Sequence, residues 1–506
     1  MTLSIIHTRA ALGITAPQVT VEAHISQGLP GLTMVGLPET TVKEARDRVR
    51  SAIINSGYQF PARKITLNLA PADLPKEGGR FDLPIALALL AASEQLCIRH
   101  PERYEFLGEL ALTGALRGVP GAISGAMEGL RAGRQVIVAA ENEDEVGLIG
   151  KPGCFIAHQL ADVCAFLEGK TILPEPRAPH LPHINEHRDL CDIIGQSQGK
   201  RALEIAAAGG HNLLLLGPPG TGKTMLASRL PGLLPPLSNT EALESAAILS
   251  LVSPHSLHQQ WRQRPFRAPH HSASMTALVG GGSMPGPGEI SLAHNGILFL
   301  DELPEFSRRV LEALREPIES GEIIISRTRA KVRYPARFQL IAAMNPSPSG
   351  DWQGNQSHGG LQQTLRYINR LSGPFLDRFD MSLEIPLLPP GTLSGQHYQG
   401  ETSACVRERI TEAYRHQNAR QKQLNAHLNN QAIRRFCSLL PEDAQWLEEA
   451  LTRLELSVRA WQRLLRVART IADLEHQPQI QRQHLQEALS YRAIDRLLIH
   501  LRKMVA

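Results

Sequence analysis

Apolar residues recur with a strand period at the start of the chain, cluster into short buried runs in the middle, and adopt a helical period towards the end. Val19-Thr20-Val21-Glu22-Ala23-His24-Ile25 is apolar at nearly every second position, as a half-buried strand is. From Thr41 to Asn55, Val42, Ala45, Val49 and Ile53 share one helical face, and Gly57 follows as a stop. Lys64-Ile65-Thr66-Leu67-Asn68-Leu69 predicts another strand, and Asp82 to Ala92 an apolar helix. Pro174, Pro176, Pro179 and Pro182 predict a stiff linker. Leu213–Leu216, Ile297–Leu300 and Phe338–Met344 are continuous apolar runs that read as buried strands. Pro386, Pro389, Pro390 and Gly391 close that segment, and beyond residue 403 the pattern is helical almost throughout. The organisation expected is an α+β module at 1–170, a linker at 171–187, an α/β core at 188–395 and a helical domain at 396–506.

The first buried run leads into Gly217-Pro218-Pro219-Gly220-Thr221-Gly222-Lys223-Thr224, a G-x-x-x-x-G-K-T loop, and Met225 to Leu230 is expected to continue as a helix. Glycines let backbone N–H groups curl around phosphate oxygens without Cβ clashes, and the helix start adds its dipole. Lys223 is expected to reach the β- and γ-phosphates of ATP, and Thr224 to ligate Mg²⁺. A chance Gly-rich turn is the bland alternative, disfavoured by the strand and helix on either side.

The second run ends in Asp301-Glu302. Asp301 is expected to hold the magnesium shell and Glu302 to orient and deprotonate the attacking water. Asn345, after the third run, is expected to sit between these elements and report on the γ-phosphate; a plain turn before Pro346 is the alternative. Arg378 follows a short helical piece, and an arginine there, supplied by a neighbouring subunit, would neutralise transition-state charge. Arg370 is a second candidate. Arg459 opens a helix also bearing Arg463, Arg466 and Arg469. Arg459 is expected to point at the nucleotide, and the other three to form a solvated basic face.

Composition adds limits. The 506 residues carry a net charge of only +4, so any basic surface must be local. No run of about 18 apolar residues suggests a membrane span, and the first residues do not read as a signal peptide. The 6 cysteines form no C-x-x-C pair, which predicts reduced thiols and a cytoplasmic setting. His270-His271, with His255 and His258 upstream, has no Cys or acidic partner at ligand spacing and does not read as a metal site.

The segments GLPGLTMVGLPETTVKEARDRVRSAIINSGY, NLAPADLPKEGGRFDLPIA, GELALTGALRGVPG, KRALEIAAAGGHNLLLLGPPGTGKTMLA, RPFRAPHHSAS, GEISLAHNGILFLDELPEF and SVRAWQRLLRVARTIADL resemble the YifB/ComM family of magnesium-chelatase-like AAA+ ATPases, over the whole length. The resemblance implies an AAA+ P-loop core with a C-terminal helical lid. Gly217–Thr224 falls at Walker A, Asp301-Glu302 at Walker B, Asn345 at sensor 1, Arg378 at the arginine finger and Arg459 at sensor 2. It also implies a homo-hexameric ring acting on DNA, branch migration by the ComM-type member in natural transformation, and no membrane. A metal-chelatase motor subunit and a non-enzymatic scaffold are the competing readings.

The N-terminal module looks like the ribosomal-S5-like α+β domain of the Lon protease C-terminus. Arg80 stands at the position of that protease's serine, and Pro120–Ser124 replaces the segment with its lysine. Without nucleophile and base no acyl chemistry is expected. Ile323 to Tyr334 reads as a β-hairpin with a basic tip, at the place where related rings push a hairpin into the pore. Arg327, Arg329 and Lys331 would then touch DNA phosphates without reading sequence. Cations guarding edge strands are the alternative. Gly280–Gly288 is expected to be a flexible loop on a helix-2 insertion, a second pore element, with a plain flexible linker as the alternative.

Overall fold

The computed structural model describes residues 2–36, 40–179, 188–253, 257–282, 285–327, 330–348, 358–390, 392 and 400–505. The expectations for Arg329, His255, Pro182 and Gly391 lie outside these.

The N-terminal part is built on seven strands: β1 (Thr2–Arg9), β2 (Gln18–Ser26), β3 (Gly31–Val35), β4 (Lys64–Ala70), β5 (Tyr104–Leu107), then, past the ribbon β6 (Glu109–Leu110) and β7 (Leu116–Arg117), β8 (Gln135–Ala139) and β9 (Cys154–Ala157). Their order is β3-β4-β2-β1-β5-β8-β9. β2 runs antiparallel to both β1 and β4, whereas β1, β5, β8 and β9 pair in parallel. The period-two pattern of β2 buries Val19, Val21, Ala23 and Ile25. Helices Thr40–Asn55 and Asp82–Ala92 occur where their spacing predicts. Asp82 is buried and accepts from Arg48 Nε at 2.9 Å. The described part of the proline-bearing stretch is laid against the module: Ile156 N donates to Pro174 O at 2.9 Å.

The central part comprises β10 (Leu213–Leu216), β11 (Phe266–Arg267), the ribbon β12 (Gly280–Gly281) and β13 (Gly286–Pro287), β14 (Ile297–Leu300), the hairpin β15 (Glu322–Ser326) and β16 (Lys331–Pro335), β17 (Gln339–Met344) and β18 (Met381–Glu384). Five form one sheet in the order β11-β14-β17-β10-β18, parallel throughout. β10, β14 and β17 are buried end to end, as sheets covered on both faces require. Helices Ser403–Gln421 and Val458–Leu474 pack on helix Ser197–Gly209 at one face, sharing a core that includes Leu203, Leu213, Val406 and Leu464. Leu298, Leu300, Val310 and Leu311 fill the other.

One expected element is divided. Helix Lys223–Ala227 ends, and Leu230–Leu233 begins after a turn at Ser228-Arg229. Pro231 lacks the N–H that would bond the Ala227 carbonyl, so a continuous helix is disfavoured.

The N-terminal part sits on this core. Ala122, Ile123 and Ala126 pack with Ala246, Ala247 and Leu257. The hairpin β15–β16 buries Ile323, Ile325, Val332 and Tyr334, with Leu12 and Ile14 packed on the same cluster.

Candidate nucleotide site

Each piece of the site follows a strand of the parallel sheet. The cradle Gly217–Gly222 follows β10, Asn345 follows β17 and Asp301-Glu302 follows β14. β17 lies between the other two, so Asn345 is set between the cradle and the carboxylates. Gly220 and Gly222 have φ of +78° and +87°, the left-handed region open to glycine. A Cβ on Gly217 would sit 2.3 Å from Ile385 O, so that glycine is fixed by close approach instead.

Lys223 is 8% exposed, and its Nζ donates to Gly217 O at 2.7 Å, Pro218 O at 2.8 Å and Asn345 Oδ1 at 3.2 Å. Burial pulls its ammonium below the usual lysine value, and Asp301 acts against that pull. Thr224 Oγ1 donates to Asp301 Oδ2 at 2.6 Å. A hydroxyl and a carboxylate held side by side are the hard oxygen donors that Mg²⁺ takes, so the residues present fit a magnesium–nucleotide complex. Thr224 and Asp301 would hold the ion, which supplies charge neutralisation at the phosphates.

Glu302 has φ of 52°, a left-handed conformation uncommon outside glycine and a mark of local constraint. Its Oε2 lies 3.0 Å from His271 Nδ1. His271 lies just past β11, the strand beside β14. Weighed as metal ligands, His270-His271 give no hint of this contact. The sheet order explains the contact: ends of adjacent parallel strands meet at one sheet edge, and β11 ends near His271 as β14 ends near Glu302. His270 is occupied differently, with Nδ1 2.8 Å from Ser272 Oγ.

The arginines gather elsewhere. Asn212, just before β10, donates from Nδ2 to Arg378 O at 2.9 Å, so Arg378 sits where the strands begin. The cradle lies where they end, five residues on and about 16 Å away at strand rise. The Arg378 guanidinium pairs with Glu319. Arg459, 74% exposed, pairs with Asp377 Oδ2 at 3.4 Å and so joins Arg378 at that edge. Arg370 is the exception: it lies 3.2 Å from Glu305, three residues past Glu302 and so at the cradle end of the strands.

The solvated basic face is not found. Arg463 is buried and bonds Asp377 Oδ1 at 2.9 Å. Arg469 is buried and bonds Asp473 Oδ1 at 3.1 Å. Arg466 donates to Leu428 O at 2.6 Å. Asp473 and carbonyls of the helical part, with Asp377 of the core, take up these cations, as burial of a charge demands, although Arg463 Nε and Arg466 Nε are buried without a hydrogen-bond partner.

The hairpin β15–β16 forms with the register Ser326 to Lys331, and Arg327, Lys331 and Arg333 are exposed on it. Gly280–Gly288 corrects the flexible-loop expectation over its described residues. β12 and β13 pair, and a Cβ on Gly280 would lie 2.4 Å from Gly286 O. These glycines permit close packing. Tyr334 Oη donates to Pro285 O at 2.7 Å and joins the ribbon to the hairpin.

Three family descriptions match: "Magnesium chelatase, subunit ChlI" over residues 189–393, "Subunit ChlI of Mg-chelatase" over 21–142 and "Magnesium chelatase, subunit ChlI C-terminal" over 400–492. YifB of Salmonella typhimurium is 71% identical over 506 residues, all of both chains. Competence protein ComM of Haemophilus influenzae is 57% identical over 510 aligned positions, again covering both. The chain belongs to the YifB/ComM family of magnesium-chelatase-like AAA+ proteins. More remote is the magnesium-chelatase 38 kDa subunit of Cereibacter sphaeroides, 27% identical over 210 residues, 38% of this chain and 57% of that one. The mixed α/β architecture with a parallel core sheet fits the YifB/ComM assignment. Among the described residues, no helix is long and apolar enough to cross a membrane.

Proposed function

We propose that the chain is an ATP-hydrolysing motor that acts on DNA as a homo-hexameric ring. One observation carries the reading. The cradle assembles Lys223, Thr224, Asp301, Asn345 and Glu302, while Arg378 stands at the far edge of the same sheet. A cation that cannot reach its own nucleotide serves a neighbour's, as phosphoryl transfer in such rings requires.

In this reading Lys223 grips the β- and γ-phosphates of ATP, and Asn345 holds the Lys223 ammonium in line with them. Glu302 takes the proton of the attacking water once His271 lets it turn. Arg378 and Arg459, set together beside Asp377, enter the adjacent protomer's site. Residues 396–506 act as the lid and 1–170 as a Lon-like, S5-like module without peptidase chemistry. Arg80, at the serine position, is buried and donates to Pro120 O. The segment 171–187 is the linker between that module and the 188–395 core.

DNA is the proposed substrate on two grounds. The Haemophilus influenzae relative is a competence protein, and Arg327, Lys331 and Arg333 are exposed on a hairpin tied to a second ribbon. Branch migration in recombination or transformation is the finer form of the proposal. The test is the ATPase rate with and without branched DNA, alongside junction migration and native mass spectrometry for a hexamer. DNA stimulation with junction movement is expected. Turnover indifferent to DNA would favour the second reading, a chelatase-type motor acting on a protein partner, which rests on the likeness to the 38 kDa subunit. Absence of turnover would end both.

A further inference from the structure

We propose that Glu412, His416 and His476 form a binding site for a zinc-class divalent cation, one that pins helix Ser403–Gln421 to the end of helix Val458–Leu474. The inference rests on this cluster alone and not on the ATPase reading. Glu412 and His416 are one turn apart on the first helix, and so share a face. His476 stands two residues beyond the second. One ligand atom from each side chain lies within 4.8 Å of the others.

No hydrogen bond holds the three together, and the two Glu412–imidazole contacts become ion pairs only when the imidazoles are protonated. Glu412 Oε1 is 3.9 Å from His416 Nε2, and Glu412 Oε2 is 3.8 Å from His476 Nε2, both too long for hydrogen bonds. The two imidazoles meet edge to face with centroids 5.9 Å apart. Ligands about 2.0–2.1 Å from a tetrahedral zinc lie roughly 3.3 Å apart, so small side-chain rotations would close the shell. Two imidazoles and a carboxylate are a known zinc donor set that leaves a fourth position for water. Mg²⁺ and Ca²⁺ prefer all-oxygen shells and are poor fits.

The backbone adds a second observation. His476 has φ of 54° at a helix end closed by Gln477 N donating to Ala472 O at 2.8 Å. Glycine is the usual residue at such a position. A histidine there places an imidazole beside Glu412 at the cost of the easier backbone.

The test uses the full-length chain carrying C97S and C405S, because both thiols are exposed and would bind zinc themselves. After removal of metal with a chelator, zinc chloride is titrated calorimetrically, and melting is followed with and without zinc. About one ion per chain and a higher melting temperature are expected. H416A and H476G should each weaken binding by at least about tenfold and abolish the zinc-dependent shift. H476G suits the left-handed backbone, so its fold should hold. No saturable zinc binding, or binding undiminished in both variants, overturns the proposal.

Discussion

His271 Nδ1 stands 3.0 Å from Glu302 Oε2, so the carboxylate proposed to activate water has an imidazole partner within reach. A carboxylate turned towards that imidazole must rotate before it can take a proton from a water at the phosphates. H271A should therefore raise the DNA-free kcat several-fold, leave KM for ATP little changed and shrink the stimulation by DNA. Steady-state ATPase assays at matched protein concentrations measure all three.

E302Q should keep nucleotide affinity and lose about 10²–10⁴-fold in kcat, the range for a positioned base. K223A should instead lose binding, since its ammonium occupies the middle of the cradle. A fluorescent ATP analogue separates the two outcomes: tight binding by E302Q without turnover, weak binding by K223A.

Because Arg378 lies across the sheet from its own cradle, R378A and K223A should complement each other. Each alone is inactive, with a loss of about 10³-fold or more for the arginine. Mixed before assembly, the two should recover a measurable fraction of wild-type rate. Failure to recover at any mixing ratio would count against a shared site.

Reversing Arg327 and Lys331 to Glu should weaken DNA binding and leave basal hydrolysis near wild type. The slope of log affinity against log salt should fall by about 2, one unit for each lost phosphate contact. Anisotropy titrations at several salt concentrations give the slope.

Asp82 provides a pH signature in the N-terminal part. Burial pushes its carboxyl up from 3.8 to about 6, against the downward pull of Arg48. The folded chain then binds a proton that the unfolded chain has released between about pH 4 and pH 6. Its contribution to stability is full below about 4 and is lost as pH rises through 6, on the order of 2–3 kcal/mol. D82N should flatten that part of the wild-type stability profile, measured by denaturant titration from pH 4 to 7.

Cradle and carboxylates were legible because each is complete within a few neighbouring residues. Lys223 and Thr224 announce themselves by the glycines before them, and Asp301-Glu302 by the apolar run before it. The His271–Glu302 contact needs the sheet order, which no local pattern carries. Arg463 and Arg469 depart from the expected solvated face for a related reason. Periodicity gives the face on which a cation lies, but Asp377, which takes Arg463 inward, is 86 residues away along the chain. The break at Ser228-Arg229 is legible in Pro231, against the continuous helix that the motif's usual context suggests.

Gly13 has no room for a Cβ: one would sit 2.6 Å from Val332 Cγ1, under the β15–β16 hairpin. The hairpin is thus seated on the turn between β1 and β2 and has a footing in the N-terminal sheet. Any stroke it makes must either lift off that seat or carry a seven-stranded plate along. In the proposed motor, the N-terminal part would then be ballast on the ribbon.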